Sequence, residues 1–543
     1  MASLNPKTGV LGKRLAAHLL RRTTYNVSKA RILEFAEMEV QEALDKLLQT
    51  PLILSEPLDA TNGRPWLYSY HNHQYDSVYR SSVLLWWMNE AIKDETISHR
   101  MVFFLHTNFT TSWTFNYSRN VYDHYDLLRK YIFGSFKELA QKVTLDNLML
   151  RYLDNHYNRK NNPNENYARE FLELFTIGKG PQIGPGNYTH YTEHDVKEAA
   201  RLLTGFQATI KSQEARLSSI DFDTGIPRGE TNFFRHDVED KQFSEAFQNT
   251  IIAGATDADD MHRELGDFVN MVFEQTQTSL NICRKIYRFF VSRNITEEVE
   301  QDIIQPLAQE MRENDFSFEV VLRRLFASEH FYDLDTPHSQ NIVGTLIKSP
   351  IELIFQTINH FDIAMPDPEE NIYNYSQFFY HAVFKHLFLD SDLFLFSPPN
   401  VAGYPGYYLD PARDRNWFTS NTIVGRYNIP REFIKQRRKF REDVYLGGVR
   451  LDPLVFTSNP DYISNPADAY GLVMELAEYL YCKMPDQDRI DYFVHDVLLQ
   501  GIAIEDWTYE WTLYQITGND EEVRIGLENL FIAMLHTPEY QLM

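Results

Sequence analysis

The chain has 543 residues, 43% of them hydrophobic and 24% charged, a balance that excludes wholesale disorder and is enough for several cores. Its 52 Lys plus Arg stand against 76 Asp plus Glu, and the resulting net charge of -24 repels phosphate backbones and argues against a nucleic-acid partner. Cys283 and Cys482, far apart, make neither a disulfide framework nor a thiolate metal motif, and no window reaches the roughly 18 apolar residues of a membrane span.

The N-terminal stretch is broken by Lys13, Arg14, His18, Arg21 and Arg22, so it does not read as a signal peptide and a cytoplasmic location is the default expectation; export with a partner would leave no trace. Helical periodicity opens the chain: Leu15, Ala16, Leu19 and Leu20, then Ile32, Phe35 and Ala36, then Leu44, Leu47 and Leu48 predict a helical hairpin or small bundle over residues 1–50. Pro51, Pro57, Gly63 and Pro65 mark a long loop, near whose end His71 and His73 alternate and would share one face if extended.

A central helical region is expected over 77–206. Gly225, Pro227, Gly229 and Gly254 then break the period and predict an irregular, partly stranded insertion over 207–256. Helices resume over 257–390, with Ile282, Ile286, Phe289 and Phe290 as one apolar stripe. Residues 391–417 form a Pro/Gly/aromatic loop too long to be an incidental connection, and 418–543 are again helical. The basic run from Arg426 to Arg441 is interrupted by acidic residues and reads as a solvated helix face. The predicted architecture is mainly α, a large multi-helical body with long irregular loops and a small stranded insertion, compatible with one domain throughout.

The stretch from Asn161 to Gly178, NNPNENYAREFLELFTIG, carries the densest chemistry. Asn162 as N-cap, Pro163 at the first helical position and Glu165 three residues after the cap predict a helix start. At 100° per residue Tyr167, Ala168, Phe171, Leu172, Leu174 and Phe175 share an apolar side, while Arg169 and Glu173 face the other as an i, i+4 ion pair. Thr192 caps a second helix with Asp195 at its third position, and a hairpin of the two brings Asp195, Glu198 and Arg201 toward the polar side of the first. Clustered carboxylates are hard oxygen ligands for a divalent metal, although neither HExxH nor a paired ExxH occurs; GxSxG, GxGxxG and the phosphate loop are absent too.

NENYARE at 164–170, Glu173-Leu174-Phe175-Thr176, Tyr191-Thr192-Glu193-His194-Asp195-Val196, Ala199-Ala200-Arg201 and Thr204-Gly205-Phe206 closely resemble the bacterial family known as domain of unknown function 1800. So do LLRRTTY at 19–25, residues 128–139, Phe234-Arg235-His236-Asp237, Arg284-Lys285, Lys348-Ser349-Pro350-Ile351-Glu352 and the Pro398 to Gly403 loop. The resemblance makes Arg169, Glu170, Glu173, Asp195 and Arg201 candidate catalytic residues. Together with the chemistry of the side chains it makes His106, Glu170, Glu173, Asp195, His236 and Asp237 candidate ligands of a divalent metal ion. It also implies a partner, the sulfatase-like protein often encoded beside family members. Two departures stand out: the family's WHNHF reads Leu105-His106-Thr107-Asn108-Phe109 here, and Phe206 replaces a tryptophan. The expected function is an enzyme-like or ligand-binding protein with an acidic, metal-bearing site on the 164–205 hairpin. The alternatives are an assembly protein with a buried structural charge network and, more weakly, carbohydrate binding through the 394–417 loop.

Overall fold

Apolar spacing of three and four residues builds nearly all of the chain. The computed structural model describes residues 2–49, 55–67, 73–115, 117–209, 219–335, 342–407, 414–435 and 449–543. His71, part of the aromatic loop and the 436–441 half of the basic run lie outside them. Helices α1 (Gly12–Thr23), α2 (Lys29–Ala36) and α3 (Val40–Leu47) form a small bundle that buries Leu19, Leu20, Ile32, Phe35, Leu44 and Leu47. Next come α4 (Asp76–Lys93), α5 (Ser98–Asn108), α6 (Ser118–Lys130), α7 (Phe136–Thr144) and α8 (Asn147–Tyr152). Helix α5 is buried nearly all round, Ser98 to His106 without a break, as suits a helix at the centre of a body.

The hairpin consists of α9 (Asn166–Glu170) and α10 (Glu193–Leu202). The insertion after it is stranded as expected, in two antiparallel ribbons: β1 (Phe206–Gln207) pairs with β2 (Glu230–Thr231), and β3 (Lys241–Gln242) with β4 (Ile251–Ile252). Helices α11 (Asp260–Glu274) and α12 (Thr276–Phe290) follow, then α13 (Gln305–Glu313), α14 (Phe318–Ala327), α15 (Pro350–His360), α16 (Thr422–Lys435), α17 (Ala469–Leu480), α18 (Ile504–Thr517) and α19 (Glu521–Leu535). Among the described residues no helix is long and apolar enough to cross a membrane.

Much of the aromatic content is packing mass. Phe396 of the late loop reaches the centre, its ring 4.7 Å from Trp87, 4.4 Å from Tyr125 and 4.8 Å from His106, so that loop is anchored in the core at its first half. The reading of the basic run as a solvated face needs correction at its start. Arg426 is fully buried and donates to Gln541 Oε1 at 2.9 Å and the Lys348 carbonyl at 2.7 Å. A guanidinium there binds the end of the chain to the rest, a requirement local charge patterning does not reveal.

Lys348 itself is buried with its ammonium 4.2 Å above the Tyr540 ring, and burial pushes its pKa down to about 7. The unfolded chain holds that proton up to its ordinary 10.5, so the cost of the buried charge is full below pH 7 and is relieved between 7 and 10.5. Lys348→Met, close in volume, is expected to raise the melting temperature at pH 6, with a gain that shrinks toward pH 10; a gain that grows with pH would contradict this.

Candidate functional site

The first helix of the hairpin starts later than its sequence predicts. Asn158 Oδ1 accepts the Asn164 N–H and Asn164 Oδ1 accepts the Asn166 N–H, both at 2.9 Å, so side-chain hydrogen bonds hold the residues before Asn166 outside the helix. The N-cap expected at Asn162 is therefore displaced, and helix begins at Asn166. Five residues on, α9 widens into a π-type turn over Phe171–Phe175, closed by Thr176 N–H to the Phe171 carbonyl at 3.0 Å and Gly178 N–H to the Leu172 carbonyl at 2.9 Å. Gly178 permits this with φ 79. The widened turn rotates Glu173 away from Arg169, and the expected pair between them does not form. Arg169 instead binds both Glu193 oxygens, at 2.6 and 2.8 Å, and Glu165 at 3.0 Å. The Arg169 hydrogen bonds hold the Glu193 carboxyl below its ordinary range. Glu173 accepts from Tyr191 Oη at 2.8 Å and Lys179 Nζ at 3.2 Å.

The second helix starts as predicted, with a Thr192–Asp195 capping box. Asp195 is fully buried and its oxygens also accept the Ser244 N–H at 2.6 Å and Ser244 Oγ at 2.7 Å. Arg201 reaches Asp237 at 2.8 Å and Glu198 at 2.7 Å. His236 Nε2 meets Glu264 at 2.7 Å, its Nδ1 faces the Thr204 carbonyl at 2.8 Å, and Lys241 pairs with the same Glu264 at 2.5 Å, all three side chains being buried. His106 is buried elsewhere, beside the His124–Asp146 pair, with its ring 6.2 Å from that of His124. The six metal candidates do not converge on one point, although Glu170 lies near Glu173 and His236 adjoins Asp237. Among the described residues, no three His, Cys, Asp or Glu side chains come together in a metal-holding group.

What the hairpin does open onto is a cleft of about 930 Å³, bounded by the end of α5, the 173–180 turn, one face of α12 and the late loop. Helical spacing places Asn281, Lys285 and Arg288 on that face, and Arg284 and Arg293 line its edges. Arg284 is paired with Glu300 at 3.0 Å, and Arg293 lies 4.8 Å over the Tyr407 ring, which stacks on Phe289 at 5.2 Å. Lys285 donates to Asn108 Oδ1 at 2.5 Å and to the Leu174 carbonyl, and burial pushes its pKa down to about 7. Asn108, where the family motif has histidine, turns its amide nitrogen to the Phe175 carbonyl at 3.3 Å. Glu170, which does not line the cleft, is half-buried, and burial, reinforced by the charge of Glu173, raises its carboxyl to about 7.

The cleft beside the hairpin is cationic, unlike the acidic hairpin itself. Lys179, Arg284, Lys285, Arg288 and Arg293 line it against Glu173. None of those five cations stood among the candidates. The available signal was three cations within five residues, at 284, 285 and 288, on a helix whose other face is apolar, since like charges on adjacent turns repel.

A family model described as protein of unknown function (DUF1800) matches residues 18–542. The chain belongs to that family. No curated protein and no solved structure matches it. Of the DUF1800 motif residues in this member, Glu173, Arg284 and Lys285 reach the cleft, while others are structural. Arg22 donates to the Val291 and Ile342 carbonyls at 3.0 and 2.6 Å, and Glu352 pairs with Arg100 in the core.

The hairpin carboxylates consequently answer differently to amide substitution. Asp195→Asn turns an NH2 toward donors it must accept from, and about 1–2 kcal/mol of stability is expected to be lost. Glu170→Gln removes a disfavoured charge. The cost of that charge is present above pH 7 and absent below the ordinary 4.5, so the variant is expected to melt higher than wild type at pH 8 and equally at pH 4.5. Equal destabilisation of both variants at pH 8 would contradict the assignment.

Proposed function

We propose that this protein binds a small anionic ligand in the cleft between the 171–178 turn and α12, and that this cleft is an enzyme-like site. One observation carries the reading: five cationic side chains converge on one cleft of a chain whose net charge is -24. Lys179 and Arg284 already have carboxylate partners in Glu173 and Glu300, and an anion drawn to the cluster gains charge-assisted hydrogen bonds. Lys285, which lines the cleft and is held near 7, supplies a group able to take and give a proton at neutral pH.

For the polar side chains that join the hairpin to the insertion the geometry supports the structural alternative instead. Asp195 with Ser244, Arg201 with Asp237, and His236 with Glu264 fasten the insertion to its neighbours.

The test is thermal melting with phosphate, sulfate, pyrophosphate and citrate at constant ionic strength, beside neutral sugars. At least one oxyanion is expected to raise the midpoint by roughly 2 °C or more at millimolar concentration. A response to sugars alone would favour carbohydrate binding, and no response to any oxyanion would refute the proposal.

A further inference from the structure

Lys285 differs from Arg284 and Lys179 in how its nitrogen is held. Arg284 has a carboxylate partner in Glu300 and Lys179 has one in Glu173. The Lys285 nitrogen instead donates to two neutral oxygens, Asn108 Oδ1 and the Leu174 carbonyl. The second is free to receive it because the wide turn sends the Gly178 N–H to the Leu172 carbonyl rather than to Leu174. A neutral amine has two N–H bonds and one lone pair. Two acceptors account for both N–H bonds, and the remaining tetrahedral direction belongs to the lone pair, on a side chain that lines the cleft. The arrangement suits an amine used as a nucleophile better than a fixed ammonium.

We propose that Lys285 is a nucleophilic amine that forms an imine with a small aldehyde or ketone carrying a carboxylate or phosphate, with Arg288 and Arg293 holding the anionic group. This rests on the anion-binding reading of the same cleft and adds the reactive carbonyl to it. The Nζ lone pair attacks the carbonyl carbon, the oxygen takes a proton from the nitrogen to give a carbinolamine, and loss of one water leaves the imine. No electrons are gained or lost overall. A lysine amine with a depressed pKa is the form in which such chemistry runs near neutrality, and burial holds this one at about 7.

The full-length wild-type chain is incubated near pH 7 with sodium cyanoborohydride and either pyruvate or glycolaldehyde phosphate, with neutral glycolaldehyde as control. Hydride reduces any imine to a stable secondary amine, which intact-mass measurement counts and peptide mapping locates. The expected result is one adduct per chain at Lys285, formed at least tenfold faster than at any other lysine with one of the two anionic carbonyls. It is absent from Lys285→Arg and slowed by whichever oxyanion raises the melting temperature. The choice between pyruvate and glycolaldehyde phosphate tells a carboxylate from a phosphate ligand. Adducts spread evenly over many lysines, or Lys285 left unmodified, would overturn the proposal. If Lys285 stays unmodified while oxyanions still stabilise the chain, anion binding stands and the amine is only a cap on the Leu174 carbonyl. Because mapping is done on wild type, the folding of a variant does not enter.

Discussion

Glu264→Gln is expected to cost about 3–5 kcal/mol of unfolding free energy, the largest effect of any single change considered. Glu264 enters from α11 and is fully buried. One oxygen meets the Lys241 ammonium at 2.5 Å; the other meets His236 at 2.7 Å and the Ala255 N–H at 3.1 Å. An amide of the same shape keeps the volume but leaves Lys241 as an uncompensated charge with no exposed surface. Removing both charges together strands nothing, so Glu264→Gln with Lys241→Met should recover most of the loss. Thermal and urea denaturation of the two variants would check this, and a single variant within 1 kcal/mol of wild type would show that Lys241 is neutral in the fold.

Arg288→Gln is expected to weaken binding of the stabilising oxyanion by roughly 10- to 100-fold, because a hydrogen bond to a charged group contributes about 1.5–3 kcal/mol and each 1.4 kcal/mol is tenfold in affinity. Arg201→Gln provides the contrast. Arg201 belongs to the hairpin and is bonded to Asp237 and Glu198 away from the cleft, so its loss should lower stability and leave affinity unchanged. Binding isotherms of both variants, measured at one ionic strength, separate the two roles. Equal losses of affinity would mean that the anion responds to net charge and not to a seat in the cleft.

The helical body was legible because its information is local. Leu15 to Leu20, Ile32 to Ala36 and Ile282 to Phe290 carry their period in the order of residues, and the glycines and prolines between 225 and 254 carry the break. The capping box at Thr192 was legible for the same reason. The start of α9 was not, because Asn158, outside the motif, holds the residues before it. Nor was the wide turn at Phe171–Phe175, since one extra residue per turn barely changes an apolar pattern yet moves Glu173 from Arg169 to Tyr191 and Lys179. The cleft was least legible of all. Asn108, Glu173, Lys285 and Tyr407 come from four segments and meet only by tertiary packing, so the acidic look of the hairpin concealed a cationic neighbour on α12.

Anomalous diffraction from crystals soaked in selenate tests most directly whether an anion sits in that cleft. The predicted result is a selenium peak in the cleft within hydrogen-bonding reach of Arg288 or Arg293, stronger than any at the outer surface and absent from Arg288→Gln crystals. Peaks at surface lysines and arginines with none in the cleft would contradict the account.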